Sequence, residues 1–208
     1  MLLLSLDTAS TTLSLSLFEN EKPIASFDEV MVRGQAERLI VEVQNLFKQS
    51  KKDIKELTAV SVGVGPGSFT GVRVALSAAR GFGLALDVPV WGVSSLQAYA
   101  LGADTDVFVA LDTKRGDFYV AGYNNELEEV FSPRVMTMED IKILNPKLIA
   151  SDVPDVFETE GFLVRKNDFS LSEQIARIAL MRQQNPLPAE PMYLRDADVT
   201  VLNNPFSC

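Results

Sequence analysis

Leu2-Leu3-Leu4-Ser5-Leu6-Asp7-Thr8 and Val107-Phe108-Val109-Ala110-Leu111-Asp112-Thr113 are two apolar runs that each end in Asp-Thr. A near-continuous apolar run of this length bounded by turn residues reads as a buried strand. Each is followed by a second strand. Leu13, Leu15 and Leu17 alternate with Ser14 and Ser16, and after the turn Asp112-Thr113-Lys114-Arg115-Gly116-Asp117 the chain returns through Phe118 to Tyr123. Sliding the chain on itself by 105 residues, from Asp7 to Asp112, pairs Leu6-Asp7-Thr8 with Leu111-Asp112-Thr113 and Glu21 with Glu126. Strand meets strand and turn meets turn, the mark of an internal repeat. The expectation is an α/β protein of two similar lobes, residues 1–102 and 103–208, divided at the polar link Gly102-Ala103-Asp104-Thr105.

Outward from the two hairpins, a weaker strand covers about Pro23 to Val30. Leu39, Ile40, Val43, Leu46 and Phe47 then fall on one face of a helix from Gln35 to Gln49. Ala59 to Val64 is a strand running into Gly65-Pro66-Gly67, and Ser68 stands where a helix N-cap belongs, before a helix to about Leu86. Short elements follow: a strand at 90–93, a helix near 95–101, a helix near 137–144 and a strand near 147–150. A last helix starts at Ser170-Leu171-Ser172-Glu173, which has capping-box spacing, and ends at Asn185-Pro186.

Of the 208 residues 47% are hydrophobic and 23% charged, the composition of a chain that folds around a core. The net charge of −9 is a poor footprint for holding a polyphosphate backbone directly, so nucleic acid is expected to be reached through a partner. There is no His, and Cys208 is the one Cys. Ser-His-Asp and Cys-His catalysis, His- or Cys-pair zinc sites and an intrachain disulfide are thereby excluded. The run at residues 1–6 has no basic residue before it and stops at Asp7, and no apolar stretch approaches the length of about 20 residues that spans a bilayer. A soluble, cytoplasmic protein is expected. Lys51, Lys52 and Lys55 read as a solvated helix end, and Trp91 as core.

A strand–turn–strand with Asp-Thr in the turn, once in each of two lobes, is how actin-like phosphotransferases grip a nucleotide: turn N–H groups meet phosphate and the Asp holds hydrated magnesium. Asp7 or Asp112 taken alone is as well explained as a cap of a tight turn. The block from Gly63 to Gly71 joins a strand to a helix, but no Gly-Lys-Ser/Thr follows and Thr70 stands where a dinucleotide loop has its third Gly, so a sharp turn plus helix cap is the better reading. On the following helix Gly71, Ala75, Ala78, Ala79 and Phe82 share one face, with Arg73 and Arg80 on another. That small-residue face fits either this protein's own sheet or a second helix from a partner. Leu39 and Val43 of the preceding helix are the natural neighbours in the second case.

Leu6-Asp7-Thr8-Ala9-Ser10, the block Gly65-Pro66-Gly67-Ser68-Phe69-Thr70-Gly71-Val72-Arg73, the run from Asp87 to Leu96 and Pro191-Met192-Tyr193-Leu194-Arg195 together resemble the TsaB (YeaZ) family. The resemblance spans the chain and is densest over residues 1 to about 100. It implies an actin-like (ASKHA) fold, each lobe a mixed sheet flanked by helices. It also implies an accessory role in making N6-threonylcarbamoyladenosine at position 37 of tRNA, beside TsaD, which transfers the threonylcarbamoyl group, and the ATPase TsaE. TsaD carries a His-x-x-x-His metal pair just after its Asp-Val-Pro segment. The matching positions here are Ser95 and Tyr99, neither of which replaces imidazole at a transition metal. The resemblance therefore implies a subunit with no catalytic residue, no metal and no cofactor of its own, ATP or ADP being held, if at all, at the complex. It implies docking on TsaD through the helices of residues 35–49 and 69–86, tRNA contact only through other subunits, no membrane, and self-pairing as a homodimer when the partner is absent. The rival expectation is an independent actin-like ATPase or phosphotransferase using Asp7 and Asp112 as magnesium-organising carboxylates.

Overall fold

The computed structural model describes residues 1–31, 33–166 and 169–195. Cys208 and the rest of the chain after Arg195 lie outside them.

The hairpins expected from the repeat are present. The first lobe runs β1 (Leu2–Asp7), β2 (Thr12–Glu19), β3 (Lys22–Val30), α1 (Gln35–Ser50), a 3-10 turn (Ile54–Glu56), β4 (Ala59–Gly63), α2 (Phe69–Leu86), β5 (Val90–Val93) and α3 (Ser95–Ala100). The second runs β6 (Val107–Asp112), β7 (Phe118–Tyr123), β8 (Glu129–Met136), α4 (Met138–Leu144), β9 (Ile149–Ser151), α5 (Pro154–Thr159) and β10 (Val164–Arg165), followed by α6 (Leu171–Met181) and β11 (Leu187–Pro188). The first sheet has the order β11-β5-β4-β1-β2-β3 and the second β10-β9-β6-β7-β8. β1 pairs antiparallel with β2 and parallel with β4, and β6 pairs antiparallel with β7 and parallel with β9, so the repeat extends from residue types to sheet topology.

The period-2 side-chain alternation of β1 sends Leu2, Leu4 and Leu6 to one apolar cluster and Leu3 to another. Leu2, Leu4 and Leu6 meet α1 and α2, which cover the outer face of the first sheet. Leu3 meets a central cluster between the sheets, built on α3, α6 and Trp91. A third cluster under Ile141 and Phe157 joins α4 and α5 to the outer face of the second sheet. The two central helices are exchanged: α3, from the first half of the chain, packs on β6, β7 and β9, while α6, from the second half, packs on β1, β2, β4 and β5. Each half of the chain thus lends its last helix to the other's sheet, and β11 also joins the first sheet. A buried hydrogen bond fixes this return, the Ser172 N–H donating to Ser14 Oγ (2.9 Å).

β8, α5, β10 and β11 were not evident from sequence. β8 is an edge strand carrying Pro133, a residue that the ladder tolerates only where an N–H is not needed. α6 stops at Met181, short of Asn185. Ser68 caps α2 as expected, its Oγ accepting from the Gly71 N–H at 3.2 Å.

Candidate functional site

A cavity of about 480 Å³ opens between the lobes. The β1–β2 turn (Ala9-Ser10-Thr11) and the start of α2 (Gly67 to Thr70) form one wall, Ser95 and Tyr99 of α3 the floor, and the β6–β7 turn (Asp112 to Arg115) with Asp152 the other wall. Met192 to Arg195 also line it.

The two Asp-Thr turns are not equivalent in space. Asp7 and Thr8 are fully buried and do not line the cavity. Asp7 Oδ1 accepts the Ala9 N–H (2.9 Å), while Oδ2 has no partner among the described residues. It is packed against Gly63, where a Cβ would stand 1.8 Å from Oδ2, so Gly63 supplies the space that this carboxyl occupies. Burial pushes the Asp7 carboxyl up to about 6, against the opposing pull of the Ala9 and Ser10 backbone N–H groups. Thr8 Oγ1 donates to the Gly71 carbonyl (2.6 Å), tying the hairpin turn to α2. Asp112 and Thr113 do line the cavity, yet they are satisfied by their own turn. Asp112 accepts the Lys114 N–H at 2.7 Å and pairs with Lys114 Nζ at 2.9 Å. The Thr113 hydroxyl donates to the Asp117 carboxylate. Of the two expected magnesium-organising carboxylates, Asp112 lines the cavity and Asp7 does not.

Asp152 is a cavity carboxylate that sequence reading missed. The Asp112 N–H donates to its Oδ1 (2.9 Å). Its carboxyl is raised by burial, against the pull of the Asp112 N–H and of Lys114, with the charge of Asp112 adding to the rise. The available signal is its place just past the end of β9, close to the strand-end positions that Asp7 and Asp112 hold as the last residues of β1 and β6. Tyr99 is raised too, by burial and then by the negative charges of Asp152 and Asp7. Ser95 lines the floor beside it and is buried, its Oγ without a partner among the described residues.

The expected interface residues are corrected in part. Leu39, Val43, Gly71, Ala75 and Ala79 are buried between α1, α2 and the first sheet, and Ala78 and Phe82 are half-buried at the margin of that cluster. The small-residue face exists because the helix lies close on this protein's own hairpin: a Cβ on Gly71 would stand 1.9 Å from the Thr8 carbonyl oxygen. A charged residue at Ala75 or Ala79 would disrupt this core before it reached any partner. What α1 and α2 turn outward is a different set, Ile40 (45% exposed), Val41 (49%) and Leu84 (89%), with Arg73, Ser77 and Arg80 beside them.

The family described as "TsaD: tRNA N6-adenosine threonylcarbamoyltransferase" matches residues 28–181. The Escherichia coli protein called tRNA threonylcarbamoyladenosine biosynthesis protein TsaB is 29% identical over 94% of this chain and 95% of its own length. The structure of YeaZ from Pseudomonas aeruginosa superposes with a TM-score of 0.74 at 24% identity, over 93% of this chain and 99% of that one. The ethanolamine utilization protein EutJ from Carboxydothermus hydrogenoformans shares the fold at 13% identity, with a TM-score of 0.53 over 85% of this chain and 88% of that one. The two lobes, their duplicated hairpins and the exchanged central helices are the actin-like (ASKHA) architecture. With three quarters of its length matched, the chain belongs to the family described as TsaD, tRNA N6-adenosine threonylcarbamoyltransferase, and stands among its TsaB (YeaZ) members.

Proposed function

We propose that this protein is an accessory, non-catalytic subunit for threonylcarbamoylation of tRNA adenosine 37, and that it docks on a TsaD protein through the outward face of α1 and α2, with TsaE joining the complex. The observation that carries the docking surface is the exposure of Ile40, Val41 and especially Leu84, 89% exposed, on two neighbouring helices. Isolated apolar residues on a surface are ordinary, but large apolar side chains left exposed on two helices that touch each other suit burial against another protein. The name of the E. coli relative supports the pathway. Ser95 and Tyr99, where TsaD has its histidines, support a subunit that leaves the metal chemistry to its partner. The acidic balance of −9 suits tRNA contact made by other subunits, in the cytoplasm. Among the described residues no helix is long and apolar enough to cross a membrane. Without a partner, the same face pairs with itself in a symmetric homodimer. Any ATP or ADP is held by the complex and not by this chain alone.

Leu84→Glu and Val41→Arg are expected to weaken association with TsaD about 30-fold or more, the scale of a buried hot-spot residue replaced by a charge. Titration calorimetry of the purified pair reads this directly. Both positions are exposed, so melting temperatures should stay near wild type. Wild-type affinity in both variants would remove this face from the interface.

A further inference from the structure

After α6 the chain pairs Leu187 and Pro188 antiparallel with Gly92 and Trp91 of β5, then runs outward across the start of α2. Several contacts hold it to the first lobe. The Met192 N–H donates to the Val64 carbonyl (2.8 Å), and the Arg80 guanidinium donates to the Ala189 carbonyl (3.1 and 2.5 Å). Arg73 Nε donates to the Tyr193 hydroxyl (3.1 Å) while its guanidinium lies 3.6 Å from the Phe69 ring centre. The Tyr193 ring in turn sits 5.0 Å from that of Phe69. At the far end Arg195 reaches the second lobe and pairs with Asp117, which also accepts from the Thr113 hydroxyl.

The two ends are held very differently. The first-lobe end has a strand pairing, backbone hydrogen bonds and stacked rings. At the second-lobe end the described contacts are the packing of half-buried Leu194 against the central cluster and one ion pair, whose side chains are 27% and 18% exposed. Ion pairs that keep water access contribute little, and they weaken as salt is added.

We propose that residues 187–195 are a strap across the mouth of the interlobe cavity, fixed to the first lobe and latched to the second by Arg195 and Asp117, so that opening the latch opens the cavity without unfolding either lobe. The strap is built to swing from one end because Met192, Tyr193, Leu194 and Arg195 form part of the cavity wall, while the hydrogen bonds of Ala189, Met192 and Tyr193 go to Arg80, Val64 and Arg73 of the first lobe. Its latch partner is on the turn that carries Asp112 and Thr113, so releasing Arg195 also frees the second wall. Arg73 and Arg80 stand on the exposed side of α2 near Leu84, and the strap therefore borders the docking face; the latch itself does not depend on that docking.

The test is hydrogen exchange by mass spectrometry on the full chain, comparing wild type, Arg195→Ala, Asp117→Asn, the double variant and Arg195→Lys. Amides of residues 190–195 and 112–117 should exchange about 5-fold faster in each single variant. The double variant should be no faster than the faster single, and Arg195→Lys should restore part of the protection. Raising salt to about 1 M, where the screening length falls to about 3 Å, should move the wild type toward the variants. Amides of β1 and β6 should stay as protected as in wild type. If these also accelerated, the variant would have lost its fold, and the Arg195→Lys and salt arms would decide. Unchanged exchange at 190–195 in Arg195→Ala, effects that multiply in the double variant, or no response to salt would overturn the latch.

Discussion

Gly71→Ala is expected to destabilise the protein by about 4 kcal/mol, above the roughly 1–3 kcal/mol typical of overpacking, and to lower the melting temperature by roughly 8–16 °C. The added methyl would stand 1.9 Å from the Thr8 carbonyl oxygen and 2.9 Å from its carbon. Both are backbone atoms, so no rotamer change relieves the contact. Either α2 lifts off the β1–β2 turn or the turn itself deforms, and each breaks the hydrogen bond from Thr8 Oγ1 to the Gly71 carbonyl. Gly81→Ala on the same helix is the control. Nothing lies within 4 Å of a Cβ there, so the helix preference of Ala over Gly should raise stability by about 1 kcal/mol. Thermal unfolding followed by circular dichroism separates the two. Equal small effects at both glycines would mean that α2 does not sit on the hairpin as described.

The second large effect concerns the buried carboxyl of Asp7, whose Oδ2 has no partner among the described residues. Asp7 has its carboxyl raised from 3.8 to about 6 by burial, so the folded chain binds this proton more tightly than the unfolded one. Its contribution to stability is complete below about pH 4 and is lost as pH rises through 6, amounting to about 3 kcal/mol from a shift of this size. Asp7→Asn keeps the shape and the acceptor for the Ala9 N–H but carries no charge. Above pH 7 it should melt higher than wild type by roughly 6–12 °C, and near pH 4 the two should converge. The difference between the two proteins, measured across pH 4 to 8, isolates Asp7 from carboxylates such as Asp117 and Asp140, which are held below the usual range and stabilise in the opposite pH sense. A difference that does not vary with pH would show that Asp7 is not buried as a strained acid.

Much of this architecture is legible in the chain because buried strands that end in Asp-Thr recur at matching positions, and a repeat in sequence becomes a repeat in topology. What that pattern cannot separate is the role of each copy. Asp7 and Asp112 are the same residue at the same strand end, yet one faces the missing Cβ of Gly63 and is sealed in, while the other faces the cavity and is answered by Lys114. That distinction lies in residues distant along the chain. The small-residue face of α2 shows the same limit. Gly71, Ala75 and Ala79 report that something approaches closely, and helical periodicity does not tell whether this is the protein's own sheet or another molecule. Leu84 carries the opposite signal, a large apolar residue left outside, but in sequence it looks like one more core position near the end of an apolar helix. The strap from Leu187 to Arg195 has no periodicity to read, since it is held by backbone pairing at one end and by one ion pair and the packing of Leu194 at the other. The exchange of α3 and α6 was equally hidden, because an amphipathic helix specifies a buried face without naming the sheet that buries it.

The measurement that bears most directly on the proposed role is reconstitution of tRNA threonylcarbamoylation from purified TsaD, TsaE, the threonylcarbamoyl-adenylate synthase and tRNA, with this protein omitted, added as wild type, or added as Leu84→Glu. The expected result is modification only with the wild-type protein, none from this protein alone, and a loss with Leu84→Glu that excess protein partly restores. Modification proceeding equally well without it would contradict the accessory role.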